Sequence, residues 1–171
     1  MMTNRIPITR LSKFFGEKDF DLNISIGEEW LMGDMNFTVV LYRVDRLKTN
    51  QDDVYGEALT NSISYLPPVE IKAYIKIESP TQPTFGNSNL SQSEPGNLIM
   101  SVYLKTLQDE GIEINYGDYI GYPETENRMR YYSVSDDGRV TSDNKHTYGG
   151  YKPFYRTIVC TPVSEDEFNG L

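Results

Sequence analysis

Along this 171-residue chain, hydrophobic positions alternate far more often than they recur at helical spacing. From Val69 to Glu78 the pattern is unbroken. Val69, Ile71, Ala73, Ile75 and Ile77 share one face, and Glu70, Lys72, Tyr74, Lys76 and Glu78 share the other. That period of two predicts an antiparallel strand with one buried and one wet face. Pro67-Pro68 set its start and Pro80 its end. Leu98, Met100, Val102 and Leu104 alternate likewise and predict a strand over 98–104. Asn36–Val44 is rich in β-branched and aromatic residues and predicts another. Lys105–Glu110 fits a single helical turn that Gly111 would stop. Asn115–Asp118 has turn chemistry, with Gly117 free to take positive φ. Tyr119, Ile120 and Tyr122 then restart a strand that Pro123 ends. Tyr131–Ser135, Asp136-Asp137-Gly138 and Arg139–Thr141 predict a hairpin. Phe154–Thr161 predicts a last strand, closed by Pro162.

Between these runs the chain is polar. Residues 79–97 form a long loop whose only large apolar residues are Phe85 and Leu90. Residues 1–22 read as an arm mixing Arg5, Arg10, Lys13 and Lys18 with Phe14, Phe15 and Phe20. Within it, Thr9–Phe15 suits a short helix ended by Gly16, and further on Gly33-Asp34 marks a turn. Residues 163–171 are an acidic tail. The expected organisation is therefore an arm (1–22), one β domain (23–162) and a tail (163–171). The fold class is mainly β: an antiparallel barrel or sandwich of about six to eight strands with little helix. Long amphipathic helices are not expected. Phe14, Phe15, Phe85 and Leu90 are apolar groups in polar surroundings and are candidate subunit contacts.

Composition sharpens this picture in three places. Thirteen tyrosines favour both strands and contact surfaces, since the ring packs while the hydroxyl stays wet. The net charge of −9 falls wholly within residues 51–127, which hold twelve acidic and three basic groups. An acidic middle argues against a grip on phosphates. Cys160, the only cysteine, lies in the apolar run Thr157–Cys160 and is expected to be buried and inert. The start of the chain has no apolar core for a secretory signal, and no run approaches the length of a membrane helix, so a reducing host cytoplasm is the expected site of synthesis.

Candidate chemistry is sparse. The only histidine, His146, sits in a Gly/Asn/Lys loop with no nucleophile elbow before it. One histidine and one cysteine do not make a zinc site. No phosphate-binding glycine loop is present. Glu28/Glu29, as neighbours on a strand, would not converge, and Asp136-Asp137-Gly138 reads as a turn rather than a calcium loop. No catalytic, cofactor or metal residues are expected.

One set of motifs, taken in order, resembles a known family. Val54-Tyr55-Gly56-Glu57-Ala58-Leu59 is followed by the alternating strand and then the apolar strand at 98–104. Next come Gly117-Asp118-Tyr119-Ile120-Gly121-Tyr122-Pro123, Tyr131-Tyr132-Ser133-Val134 and Lys152-Pro153-Phe154-Tyr155. This succession, over about residues 52–160, resembles the neck proteins of tailed bacteriophages: head-to-tail connector or tail-completion proteins. The arm and the 79–97 loop have no counterpart in that pattern. The resemblance implies a mostly β structural protein of the virion, without catalytic residues. It would form a six- or twelve-fold homo-oligomeric ring, with portal, adaptor or tail proteins as neighbours. DNA would pass through without specific binding, and an acidic lumen would keep it from sticking. Asp109, Glu110, Glu113, Glu124 and Glu126 are the candidate channel acids. The contrasting expectation is a carbohydrate-binding or host-recognition β-sandwich, in which Trp30 and exposed tyrosines stack on sugars. The position of the aromatics discriminates: one concave patch, or two side faces.

Overall fold

The computed structural model describes residues 16–35, 37–49, 63–79, 96–139, 147–148, 152–164 and 168. The fold is mainly β, as the alternation predicts. Seven strands form one antiparallel sheet: β1 (Thr38–Tyr42), β2 (Val69–Lys72), β3 (Tyr74–Ile77), β4 (Leu98–Tyr103), β5 (Tyr119–Thr125), β6 (Arg128–Asp136) and β9 (Tyr155–Pro162). Two-residue strands β7 (Thr147–Tyr148) and β8 (Lys152–Pro153) make a small separate pair. Helix α1 (Glu17–Trp30) precedes the sheet, and the short α2 (Leu104–Asp109) follows β4.

The order across the sheet is β2-β1-β5-β6-β9-β4-β3. Its two end strands, β2 and β3, are consecutive in the chain and separated only by Ala73. The predicted 69–78 strand is thus real but divided. Its first half pairs with β1 (Val39 opposite Ile71) and its second with β4 (Ile75 opposite Met100). A sheet whose two edges lie on one nine-residue segment must curl strongly. At the break, the Ala73 N–H donates to the Phe37 carbonyl at 3.1 Å, so the division leaves no orphan donor there.

Inward positions follow the period of two. Val39 and Leu41, Leu98, Met100 and Val102, Ile120, Tyr132 and Val134, and Ile158 and Cys160 are all fully buried in one core. Leu107, Ile112 and Ile114, on and after α2, join the same core. The helical turn expected at 105–110 is α2, and Gly111 stops it at φ +63°, with the Ile112 N–H bonded to the Leu107 carbonyl at 2.8 Å. The expected turn at 115–118 also forms, with Gly117 at φ +84°. Asp118, almost fully buried, fastens it: one carboxylate oxygen accepts the Asn115 N–H at 2.8 Å and the other accepts the Val44 N–H at 3.0 Å. Burial pushes this carboxyl above its ordinary pKa, opposed by those two donors and by Arg46 and Arg43.

Several expectations are corrected. Gly16 is the N-cap of α1, whose four turns run across residue 22, where the arm was expected to end; the short helix expected at 9–15 lies outside the described residues. Phe20, Ile24 and Leu31 form its buried stripe, with Gly27 on the same face, so α1 is a short amphipathic helix. Gly33-Asp34 lies in a π-helical turn, Leu31–Met35, that continues α1. Pro123 does not end β5. At that point β5 pairs only with β6, since pairing with β1 stops at Gly121, and a proline is tolerated where one side has no ladder. β6 pairs with β5, through a turn at 126–127, and with β9; Val140 and Thr141 of the expected hairpin lie outside the described residues. Asp136 is the last residue of β6 rather than part of a turn, and Asp137-Gly138 packs on β9. Gly138 has φ +60° and lies against the Thr157 carbonyl, and Arg156 donates to the Asp137 and Ile114 carbonyls. Pro162 is the last residue of β9 rather than a residue beyond it.

The 79–97 loop is closed at its neck by the Glu78 N–H donating to the Asn97 carbonyl at 2.9 Å. Gly96 lies so close to the Glu78 carbonyl that a Cβ there would meet its oxygen at 1.9 Å. Among the described residues, no helix is long and apolar enough to cross a membrane.

Cys160 is fully buried between β4 and β6 neighbours, and burial pushes its thiol up to about 12. The native protein should therefore resist iodoacetamide at pH 8, while the denatured chain should take up one equivalent. Mass spectrometry of the two samples checks this, and rapid labelling of the native protein would contradict the packing.

Candidate functional site

Among the described residues, two groups of aromatic side chains lie outside the core. The first is the outer face of β3, β4 and β9. Alternation turns Tyr74, Ser101, Tyr103, Tyr155 and Thr157 outward, and the register sets Tyr74 beside Ser101, Ser101 beside Thr157, and Tyr103 beside Tyr155. Ser101 and Thr157 join their hydroxyls at 3.2 Å. These two small residues leave a hollow between larger neighbours. With Trp30 from α1 and Phe154 from the start of β9, the result is a groove of about 410 Å³ lined by Trp30, Tyr74, Ser101, Val102, Tyr103, Phe154 and Tyr155.

The C-terminal half of α1 forms one wall, held there by a close approach. Gly27 lies against Tyr103, where a Cβ would meet the phenol oxygen at 2.1 Å. The Tyr74 hydroxyl donates to the Gly27 carbonyl at 3.3 Å and lies 3.4 Å from the Tyr103 hydroxyl. The Thr106 hydroxyl, on α2, donates to Glu28 at 2.8 Å. Glu28 and Glu29 therefore sit on a helix, with Glu28 engaged and Glu29 exposed. The rings meet at angles: Trp30 and Tyr74 at 5.8 Å, Tyr74 and Tyr103 edge-on at 6.0 Å, and Phe154 and Tyr155 edge-on at 4.7 Å. Burial, the bond to Tyr74 and the nearby Glu28 charge all raise the Tyr103 phenol far above its ordinary pKa, so it stays a neutral donor. The groove offers π faces and hydroxyls. It can stack and hydrogen-bond a ligand or another protein surface.

The second cluster lies on the outer face of β1, β5 and β6: Tyr42, Tyr65, Tyr119 and Tyr131 around Phe168. Gly121 makes room for it, since a Cβ there would crowd both Tyr42 and Met129. Phe168 is buried and stacks on Tyr131 at 4.0 Å and 22°. This face is thus filled by a residue of the expected tail, whereas the first is open. In the strand order β2-β1-β5-β6-β9-β4-β3, the second face lies on β1, β5 and β6 and the first on β9, β4 and β3. The two aromatic faces therefore belong to opposite halves of the sheet.

The five candidate channel acids are all exposed. They do not form one patch. Asp109 and Glu110 end α2, and Glu113 lies just beyond, on the side of Arg156. Glu124 and Glu126 lie at the far end of β5, with Glu124 paired to Arg128 at 3.5 Å and to Arg130. The first group thus lies before β5 begins and the second towards and just beyond its end. Phe14, Phe15, Phe85, Leu90 and His146 fall outside the described residues. Among the described residues, no three His, Cys, Asp or Glu side chains are grouped to hold a metal ion. Trp30 is the member of the groove that the sequence names, as a stacking residue, while Tyr74 stands out only as the one uncharged residue on the polar face of 69–78. Their convergence with Tyr103 and Phe154 is a product of the fold.

No family model matches this chain, and no curated protein matches its sequence.

Gly27→Ala should push α1 off Tyr103. Trp30, the only tryptophan, should report this as a red shift of its emission, with a loss of roughly 1–3 kcal/mol in urea unfolding, the range for overpacked sites. Unchanged emission and stability would mean that the close approach at Gly27 does not hold the helix.

Proposed function

We propose that this chain is a structural protein of a tailed-bacteriophage virion, forming a six- or twelve-fold ring in the head-to-tail connector through which DNA passes. The observation that carries the reading is the pair of different outer faces, one on each half of the sheet. A cyclic ring is built from head-to-tail contacts, so each subunit needs two different surfaces. Here one is an open aromatic groove beside a helix, and the other is a closed aromatic cluster on β1, β5 and β6. Motifs that resemble neck proteins fall on structural positions: Gly117-Asp118 is the fastened turn, Ile120 and Tyr132 are core, and Phe154-Tyr155 border the groove. Exposed carboxylates at both ends of β5 suit a passage that repels phosphate rather than gripping it. On this reading the chain works by contact with its own copies and with portal, adaptor or tail proteins, and carries no catalytic residues.

Negative-stain images of the purified protein, alone and mixed with portal and tail proteins, are expected to contain closed rings with a DNA-sized hole. Monomers in both samples would count against the connector.

A second reading, a carbohydrate-binding or host-recognition domain, is favoured by the groove itself. Trp30 is 51% exposed at its edge, beside three tyrosines and a phenylalanine. On that reading an oligosaccharide would quench Trp30 saturably, and Tyr155→Ala would abolish the effect. The connector reading expects no quenching across a glycan panel.

A further inference from the structure

Helix α1 carries a second apolar stripe that the sheet does not use. Leu22, Ile26 and Trp30 recur every fourth residue and are 61, 58 and 51% exposed. They lie away from the buried Phe20–Ile24–Leu31 stripe, and Trp30 joins the exposed stripe to the groove. The helix is also strongly acidic, with five carboxylates against Lys18 alone. The stretch from Phe37 through β1 to Thr49 has the converse character. Residues 37–49 hold Arg43, Arg46 and Lys48 against Asp45 alone. In that loop Leu47 is 98% exposed, and Tyr116, whose carbonyl accepts from Arg46 at 3.2 Å, is 68% exposed.

We infer that the α1 face of one copy docks on the loop face of the next, with Leu22, Ile26 and Trp30 packing against Leu47 and Tyr116, and the helix carboxylates facing Arg46 and Lys48. The occupant is a second copy of this chain because the two faces match in both apolarity and charge. Such a contact is head-to-tail and repeats from subunit to subunit. The inference rests on the ring reading and assigns its subunit interface.

Two variants test it by analytical ultracentrifugation. Leu22→Asp/Ile26→Asp disables the helix face, and Arg46→Glu/Leu47→Asp disables the loop face. All four positions are exposed, so circular dichroism and thermal unfolding should match the wild type. The wild type should form closed oligomers. Each variant alone should be monomeric, its self-association weakened roughly tenfold or more per replaced contact. An equimolar mixture of the two should form a dimer and stop, because only one intact helix face can meet one intact loop face. Wild-type oligomers that persist in both variants would overturn these faces and leave the ring reading standing. A discrete wild-type dimer would overturn the head-to-tail arrangement. A wild type that stays monomeric, alone and with portal protein, would overturn both.

Discussion

The whole sheet depends on the segment 69–77 serving both of its ends. An open sheet exposes two rows of unpaired backbone groups, and each is a template for unwanted pairing. Here the two ends share one stretch of chain, with Ala73 as the corner. β1 lies along its first half and β4 along its second. Ala73 is fully buried, and its small side chain lets the segment turn without opening the core. The pairing also brings the inward side chains of the sheet into a single cluster, so that α2 and the 112–114 stretch can pack on it. The outward faces inherit their positions from the same geometry.

Those outward faces differ because of where small residues fall. On β4 and β9, Ser101 and Thr157 leave a hollow that the described residues do not fill. On β5, Gly121 leaves space that Tyr42, Tyr131 and Phe168 occupy. Two similar sets of rings thus end in opposite states, one open and one sealed. Of the acidic residues in the 51–127 block, Asp109, Glu110 and Glu113 stand on and after α2, apart from Glu124 and Glu126 towards and beyond the end of β5. The feature that acquires a single character is α1, which the block does not include.

What the sequence made legible was local. β4, the Gly111 stop and the Gly117 turn follow from patterns a few residues long, and each formed where expected. The strand at 69–78 was legible in its alternation but not in its division, because the corner at Ala73 arises from two distant partners, β1 and β4. Helix α1 was obscured by its own residues. Asn23, Ser25 and Gly27 are weak helix formers, and Ile24 and Ile26 mimic a strand. Its helix is stabilised from outside, by Tyr74, Tyr103 and Thr106 across 47 to 78 residues of chain. Pro123 misled for the same reason: whether a proline ends a strand depends on how many neighbours that strand has. The groove was legible only as Trp30 and an odd tyrosine at 74, since its other walls come from β4 and β9.

The place of β9 sets the order of events during synthesis. β9 is the last strand of the sheet to be made, and it sits between β4 and β6 with ladders to both. While the ribosome is still adding residues before 155, the growing chain has β1 through β6 but no strand to join its two flanks. Met100 and Val134 then lack Ile158 and Cys160 between them. The sheet can only be completed late, nearly all at once, after the aromatic and apolar surfaces of β4 and β6 have waited unpaired. Translation at about 5–20 residues per second makes that wait several seconds long for each nascent chain. The nascent chain is therefore most vulnerable to aggregation just before it folds, and a chaperone that shields the outer residues of β4 would act in that interval.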